Sequence, residues 1–307
     1  MGFLFGNLSS ASRLLEARRS AARKRALPWA TMPELPEVET VRRGLVPRLI
    51  GRTIVRVDQR CEKLRIPLPP RLSERLSGRR IVAIKRRAKY LLVHLDDGAV
   101  MLVHLGMSGR LTLCDGSRVR PGRHDHVIFH IDDGTCVTFN DARRFGLITL
   151  AAAGELDHHP LLAGLGLEPL DEGFNGAQLA VRLAAKRTSI KSALLDQRII
   201  AGLGNIYACE SLYYAGLSPR RTAATVVGRR AGRLAAAVKQ VLTAAIDAGG
   251  SSLRDFVGAS GELGYFQHRF AVYNRAGEPC PGCDCGGTIR RIIQSSRSTY
   301  YCPRRQR

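Results

Sequence analysis

The sequence predicts an α+β protein: an N-terminal antiparallel β-sandwich with a leading helix, then a run of short helices, then a small C-terminal β-hairpin carrying cysteines. Three observations support this. Apolar spacing runs from helical to alternating and back to helical along 307 residues. Glycine turns of the hairpin type separate the alternating runs. Four of the eight cysteines crowd into the last stretch of chain, at 280, 283, 285 and 302.

The leading helix begins near Pro36, where Val38, Val41, Leu45 and Leu49 recur on one face. Pro36 suits a first helical position, and Glu37 and Glu39 sit in the first turn, complementing the helix dipole. Beyond Gly51 the period shortens. Ile81–Lys85, Tyr90–Leu95, Val100–Leu105, Val127–Ile131 and Cys136–Phe139 read as strands, with Asp-Asp-Gly connections at 96–98 and 132–134. From Gly173 to Gly250 leucines and valines return to helical spacing, punctuated by Gly202, Gly204, Gly216 and Pro219. A Gly/Ser-rich loop over Gly249–Gly264 leads to the cysteine segment.

Charge narrows the partners. There are 48 Lys plus Arg against 26 Asp plus Glu, a net +22, and a pI near 10.6. Such an excess repels itself, so it fits a chain whose partner is a polyanion, whether DNA or a ribosome. No stretch approaches the ~18 apolar residues of a membrane span. Residues 1–31 differ from the rest, with six bases and one acid (Glu16) and no alternation. They read as an organelle-type leader or as sequence upstream of the true start at Met32. Without them 42 bases face 25 acids, still +17. The expected divisions are 1–31 as extension, 32–160 as sandwich, 161–265 as helical module and 266–307 as hairpin.

Cys61, Cys114, Cys136 and Cys209 are isolated among apolar neighbours and read as inert core thiols. Cys280, Cys283, Cys285 and Cys302 resemble a zinc ribbon, a Cys-x2-Cys knuckle with a third cysteine 19 residues on. A complete second knuckle would put its last ligand at 305, which is Arg305. Two alternatives stay open: one zinc ion on the four cysteines, or a hairpin that folds without metal.

The segment at 32–41, Met-Pro-Glu-Leu-Pro-Glu-Val-Glu-Thr-Val, points to chemistry. Removal of an initiator Met32 would free the secondary amine of Pro33. An α-amine titrates near 7.7–8.0, so part of it is neutral and nucleophilic at physiological pH. It can attack an acetal carbon and form an iminium, with the neighbouring Glu34 as acid and base.

That segment resembles the start of the formamidopyrimidine-DNA glycosylase family. So, in matching order, do Arg-Arg-Ala-Lys-Tyr-Leu-Leu (86–92), His-Leu-Gly-Met-Ser-Gly (104–109), His-Asp-His (124–126), Asp-Ala-Arg-Arg-Phe-Gly (141–146), Gly-Leu-Gly-Asn-Ile-Tyr-Ala (202–208) and the cysteine hairpin. The resemblance implies a helix-two-turn-helix module and a bifunctional DNA glycosylase and abasic-site lyase for oxidised purines. Pro33 would be the nucleophile and Glu34 the acid-base, with Lys89 and Arg297 serving the two strand-cutting eliminations. Met107, Arg143 and Phe145 would fill the gap left by the extruded nucleotide. Phosphate contacts would come from His124, Arg143, Lys186 and Asn205, with Lys191 a further candidate. The implied partner is double-stranded DNA with oxidised bases, met by a cytoplasmic monomer close to the nucleoid. The endonuclease VIII branch, acting on oxidised pyrimidines, is the alternative within the class. If residues 1–31 are kept, Pro33 is an internal imide and the protein binds lesions without cutting.

Overall fold

The computed structural model describes residues 32–118, 120–251, 258–261, 263–282 and 284–307. The extension at 1–31, Cys283 and half of the Ser251–Gly264 loop lie outside the described residues.

Helix α1 (Leu35–Leu49) forms where the apolar period predicts it. Its apolar face is divided between two cores. Val38, Val41, Leu45 and Leu49 pack into the sheet core, whereas Leu35 is buried in the core of the helical module. Each such side chain contributes about 1.5–3 kcal/mol of burial, so the start of α1 is held from both sides. The first-turn carboxyls do more than complement the helix dipole. Glu37 and Glu39 are both buried, because the helical module and the Arg86 strand close over that turn.

Eight antiparallel strands follow: β1 (Thr53–Gln59), β2 (Arg79–Arg87), β3 (Tyr90–Leu95), β4 (Val100–His104), β5 (Arg110–Asp115), β6 (Asp125–Ile131), β7 (Thr135–Asn140) and β8 (Leu147–Ala151). Their order is β5-β7-β6-β1-β2-β3-β4-β8. The two four-stranded halves are joined by the short β1–β2 pairing at Thr53↔Arg80 and Ile54↔Arg79 and fold over a shared core, with Val57, Phe129 and Val137 from one half and Ile84, Val93 and Met101 from the other. Both Asp-Asp-Gly turns form, with Gly98 and Gly134 at φ +84 and +82. β1, β5 and β8 are absent from the sequence reading. β1 carries Arg56 and Asp58 on the face turned from the core, β5 is bounded by Arg110 and Asp115, and β8 is only five residues long, so each gives a weak periodic signal.

The helical module comprises α3 (Gly176–Leu183), α4 (Ile190–Leu194), α5 (Asn205–Tyr214) and α6 (Arg229–Asp247), after the one-turn α2 (Leu72–Leu76) in the sheet domain. Leu234, Val238, Val241, Leu242 and Ala245 line the buried face of α6, as their spacing predicts. The terminal hairpin, β9 (Arg290–Gln294) and β10 (Arg297–Tyr301), turns through Ser295 and Ser296, both at positive φ. Ile289, Tyr300 and Cys302 belong to the same core as the helices. A buried carboxylate strengthens that attachment: Glu210 of α5 accepts the backbone N–H groups of Ala271, Val272 and Tyr273 at 2.8–2.9 Å.

Candidate active site and nucleic-acid interface

Pro33 and Glu34 precede α1 and are buried at the junction of the two cores. The Glu34 N–H donates to Glu37 Oε2 at 2.9 Å. Glu37 Oε1 in turn accepts from the Tyr207 hydroxyl at 2.5 Å and from Ser251 N and Oγ at 2.8 and 2.9 Å. One carboxylate therefore ties the segment to α5 and to the mouth of the Gly/Ser-rich loop. Glu34 Oε1 accepts the Ile206 N–H at the start of α5, at 3.0 Å, while Oε2 is buried with no hydrogen-bond partner among the described residues. A Cβ at Gly204 would overlap the Glu34 carboxyl carbon, so any larger residue there must push the carboxyl aside.

Burial raises the Glu34 pKa to about 7, against the lowering effect of Lys89 and of the Ile206 and Tyr207 N–H groups. Glu34 thus shares its proton near neutrality, the condition for a general acid and base. Lys89 is also buried, which lowers its pKa; Glu34 opposes that shift and Arg297 adds to it. The turn carrying Lys89 is clamped by Glu168, which accepts from Arg86 at 2.6 Å, Arg87 at 2.9 Å and Ala88 N at 2.9 Å. Ala88 has φ 53, so the clamp holds an otherwise disfavoured turn. Arg297, exposed at the start of β10, acts electrostatically on both Lys89 and the fully buried Lys191.

A second cluster collects the gap-filling candidates. Phe145 is 44% exposed, with the Arg143 guanidinium 4.9 Å from its ring centroid, and Met107 is half-buried. Asp141, fully buried, joins the two loops that carry them. Its carboxylate accepts from Ser108 Oγ at 2.5 Å, Gly146 N at 2.7 Å and Arg143 N at 3.3 Å. The His124 carbonyl accepts Asp141 N at 3.0 Å, which places His124 beside this cluster.

Asn205 opens α5, and its amide donates to the Ser298 carbonyl at 3.0 Å, linking helix to hairpin. Lys186 lies in the loop after α3, where its charge acts on Asp196. Glu37, Asp141 and Glu168 are the residues that sequence reasoning missed. Glu37 and Asp141 lie inside the quoted motifs, but nothing in a linear motif separates a buried carboxylate from a solvated one.

In the terminal segment the sulfurs of Cys280, Cys285 and Cys302 all lie within 4.8 Å of one another. Cys285 and Cys302 are 3.7 Å apart, and Gly287 N and Arg305 N donate to them at 3.3 and 3.5 Å. Three sulfurs with amide donors suit a soft divalent metal. Arg305 supplies no ligand: its guanidinium has no lone pair, and it bonds the Gly282 carbonyl at 2.6 Å and covers the Tyr213 ring at 4.7 Å. The expected knuckle partner Cys283 lies outside the described residues.

A sheet domain and a helical module meet over the buried Glu34 and Lys89, and comparison with known proteins gives the class, a DNA glycosylase. The formamidopyrimidine-DNA glycosylase N-terminal domain matches residues 32–148 and that family's H2TH domain matches 165–257. The formamidopyrimidine-DNA glycosylase of Rhodospirillum centenum is 59% identical over 290 residues, covering 90% of this chain and all of that protein. Among solved structures, the MutM (Fpg) protein of Thermus thermophilus is 39% identical with a TM-score of 0.77, over 89% of this chain and 98% of that one. A Lactococcus lactis Fpg mutant complexed with Fapy-dG-containing DNA is 33% identical with a TM-score of 0.81, over 90% and 100%. The chain belongs to the formamidopyrimidine-DNA glycosylase family. Among the described residues no helix is long and apolar enough to cross a membrane.

Proposed function

We propose that the protein removes oxidised purines from double-stranded DNA in base excision repair and then cuts the strand at the abasic site. The observation that carries this is the buried Pro33–Glu34 step, seated on the first turn of α5 with Glu34 poised near neutrality. The reacting species is the chain beginning at Pro33. Its amine attacks C1′ of the extruded nucleotide and the glycosidic bond breaks toward the base. Glu34 delivers a proton to the ring oxygen as the sugar opens, leaving an iminium on Pro33. Lys89 and Arg297 serve the successive β- and δ-eliminations by holding the phosphates on either side. Met107, Arg143 and Phe145 occupy the vacated stack, and His124, Arg143, Lys186 and Asn205 hold backbone phosphates. The net positive charge supplies salt-sensitive, sequence-independent attraction. The working domains are the sandwich at 32–160, the DNA-binding helices at 161–265 and the hairpin at 266–307.

Borohydride trapping on an 8-oxoguanine duplex, with mass mapping of the adduct, tests this reading. The expected crosslink is at Pro33. A crosslink elsewhere, or preferential trapping on an oxidised-pyrimidine duplex, would overturn it. Binding without trapping by a chain verified to start at Met1 would mark that longer form as a non-cutting lesion binder. Gly204→Ala should displace the Glu34 carboxyl and cost about 1–3 kcal/mol by overpacking. Its base-excision rate should fall well beyond any loss in duplex affinity, as single-turnover kinetics would show.

Cys280, Cys285 and Cys302, with Cys283 as the fourth ligand, are the residues that would hold zinc. The ion's contribution there is structural, fixing the hairpin that presents Arg297. Chelation is expected to raise hydrogen exchange across β9 and β10 while leaving α1 and the sheet protected. Uniform protection with and without chelator would favour a metal-free hairpin held by Arg305 and Tyr213.

A further inference from the structure

Away from the glycosylase site, a row of reactive side chains crosses the outer face of the sheet. Register pairs Cys114 of β5 with Cys136 of β7, Cys136 with His130 of β6, and His130 with Arg56 of β1. Directly opposed residues project to the same face. The alternate positions Val57, Phe129 and Val137 enter the core, so this row faces away from it. Asp58, two residues along β1 from Arg56, completes the set. Cys136 Sγ is 3.1 Å from His130 Nδ1, and His130 Nε2 is 2.7 Å from Asp58 Oδ2.

The arrangement determines where the protons sit. Burial alone would raise the Asp58 pKa, but hydrogen bonds from His130 and Arg56 outweigh it and hold the carboxyl below its usual range. Asp58 is therefore an ionised acceptor, and Nε2 of His130 carries the proton it accepts. Arg56 Nη2 also lies 3.0 Å from Nε2. The guanidinium can only donate, so the shorter bond to the carboxylate decides the tautomer, and Arg56 pairs with Asp58 Oδ1 at 2.9 Å instead. The lone pair of Nδ1 then faces the Cys136 thiol. This is the relation of nucleophile, base and orienting carboxylate.

Access is narrow but present. Cys136 is 1% exposed, yet it lines a hollow of about 280 Å³ together with Arg56, Gly116, Ser117 and His130. A Cβ at Gly116 would stand 3.1 Å from the sulfur, so glycine keeps the space over it open. The hollow admits a reagent the size of water or peroxide. Burial pushes the Cys136 thiol up, with Cys114 adding to the effect, so its reaction depends on the adjacent base rather than on standing thiolate. Opposed residues of an antiparallel pair have Cα atoms about 4.5–5.5 Å apart, within the span a disulfide bridges.

We propose that Cys136 is a peroxide-reactive thiol, activated by His130 and Asp58, that closes a disulfide with Cys114. Cys136 passes its proton to His130 Nδ1 as the sulfur attacks one oxygen of hydrogen peroxide. The O–O bond breaks, and the departing hydroxide takes up the proton as water. The sulfur is oxidised to a sulfenic acid and the peroxide is reduced. Cys114 then attacks that sulfur and displaces its hydroxyl as a second water. Two thiols and one peroxide give one disulfide and two waters, tying the edge strand β5 to β7.

The test treats the full, reduced chain with hydrogen peroxide at neutral pH and maps thiols by differential alkylation and peptide mass. A Cys114–Cys136 linked peptide is expected. Cys114→Ser should stop at a Cys136 sulfenic acid that dimedone traps, and Cys136→Ser should leave Cys114 reduced. His130→Gln should slow the reaction at least ~10-fold; should that variant unfold, as judged by circular dichroism, Asp58→Asn provides the same comparison. Recovery of Cys114 and Cys136 as free thiols while Cys280, Cys285 or Cys302 is oxidised would overturn the proposal. So would an unchanged rate in a folded His130→Gln or Asp58→Asn protein.

Discussion

Glu34→Gln is expected to lose ~10²–10⁴-fold in base excision and, at alkaline pH, to become more stable than the parent. Both effects follow from the same buried carboxyl. Its folded pKa is about 7, raised from an ordinary value of 4.5 chiefly by burial. Between those two values the folded state holds a proton that the unfolded state has released. Stability therefore falls as pH rises through that window, and the loss is complete above about 7. The shift corresponds to about 3 kcal/mol. Glutamine carries no charge to desolvate, so the stability gap between variant and parent should be near zero at pH 4 and approach about 3 kcal/mol at pH 8. Urea unfolding at the two pH values reads it directly, and a gap that does not change with pH would refute this account of Glu34. The parent's excision rate should follow a bell-shaped profile, because Glu34 must be protonated while the Pro33 amine must be neutral.

Asp141→Ala should destabilise the protein by about 3–5 kcal/mol, the cost of leaving several buried donors without their acceptor. The carboxylate is fully buried and holds Ser108, Arg143 N and Gly146 N. Those groups flank Met107 and Phe145, so the loss reaches beyond stability. The two loops should no longer keep a fixed separation. Fluorescence of 2-aminopurine placed beside the lesion is expected to report a stack left unfilled. Asp141→Asn keeps the shape and one acceptor oxygen, and its cost should lie between those of parent and alanine variant. Equal costs for the two substitutions would mean that packing, rather than the hydrogen-bonded bridge, holds the loops.

The long periodic segments were legible in the linear pattern. α1 and α6 lie where their apolar residues recur, and both Asp-Asp-Gly turns were readable because only a few residue types accept positive φ. The short strands β1, β5 and β8 escaped, since their outward charges or few residues dilute the alternation. Among the cysteines, Cys280, Cys285 and Cys302 come together as the linear pattern offered, and Cys283 lies outside the described residues. Cys114 and Cys136 are 22 residues apart, and sheet register alone makes them neighbours.

The primary structure specified which groups are present: an amine-forming proline beside a glutamate, a basic surface, a wedge of Met, Arg and Phe, and a cluster of soft ligands. Local propensity and periodicity suffice for that, because each depends on residues a few positions apart. Folding specified what those groups are worth. Glu34 becomes a neutral-range acid only because the packed chain buries it, against the opposing pull of Lys89 and the α5 N–H groups. Glu37, Asp141 and Glu168 change from surface charges into buried ties because distant segments bring donors to them, Tyr207 to Glu37, Ser108 to Asp141 and Ala88 to Glu168. Desolvation and hydrogen bonding between remote residues are set by the packed chain, and no window of sequence contains both partners.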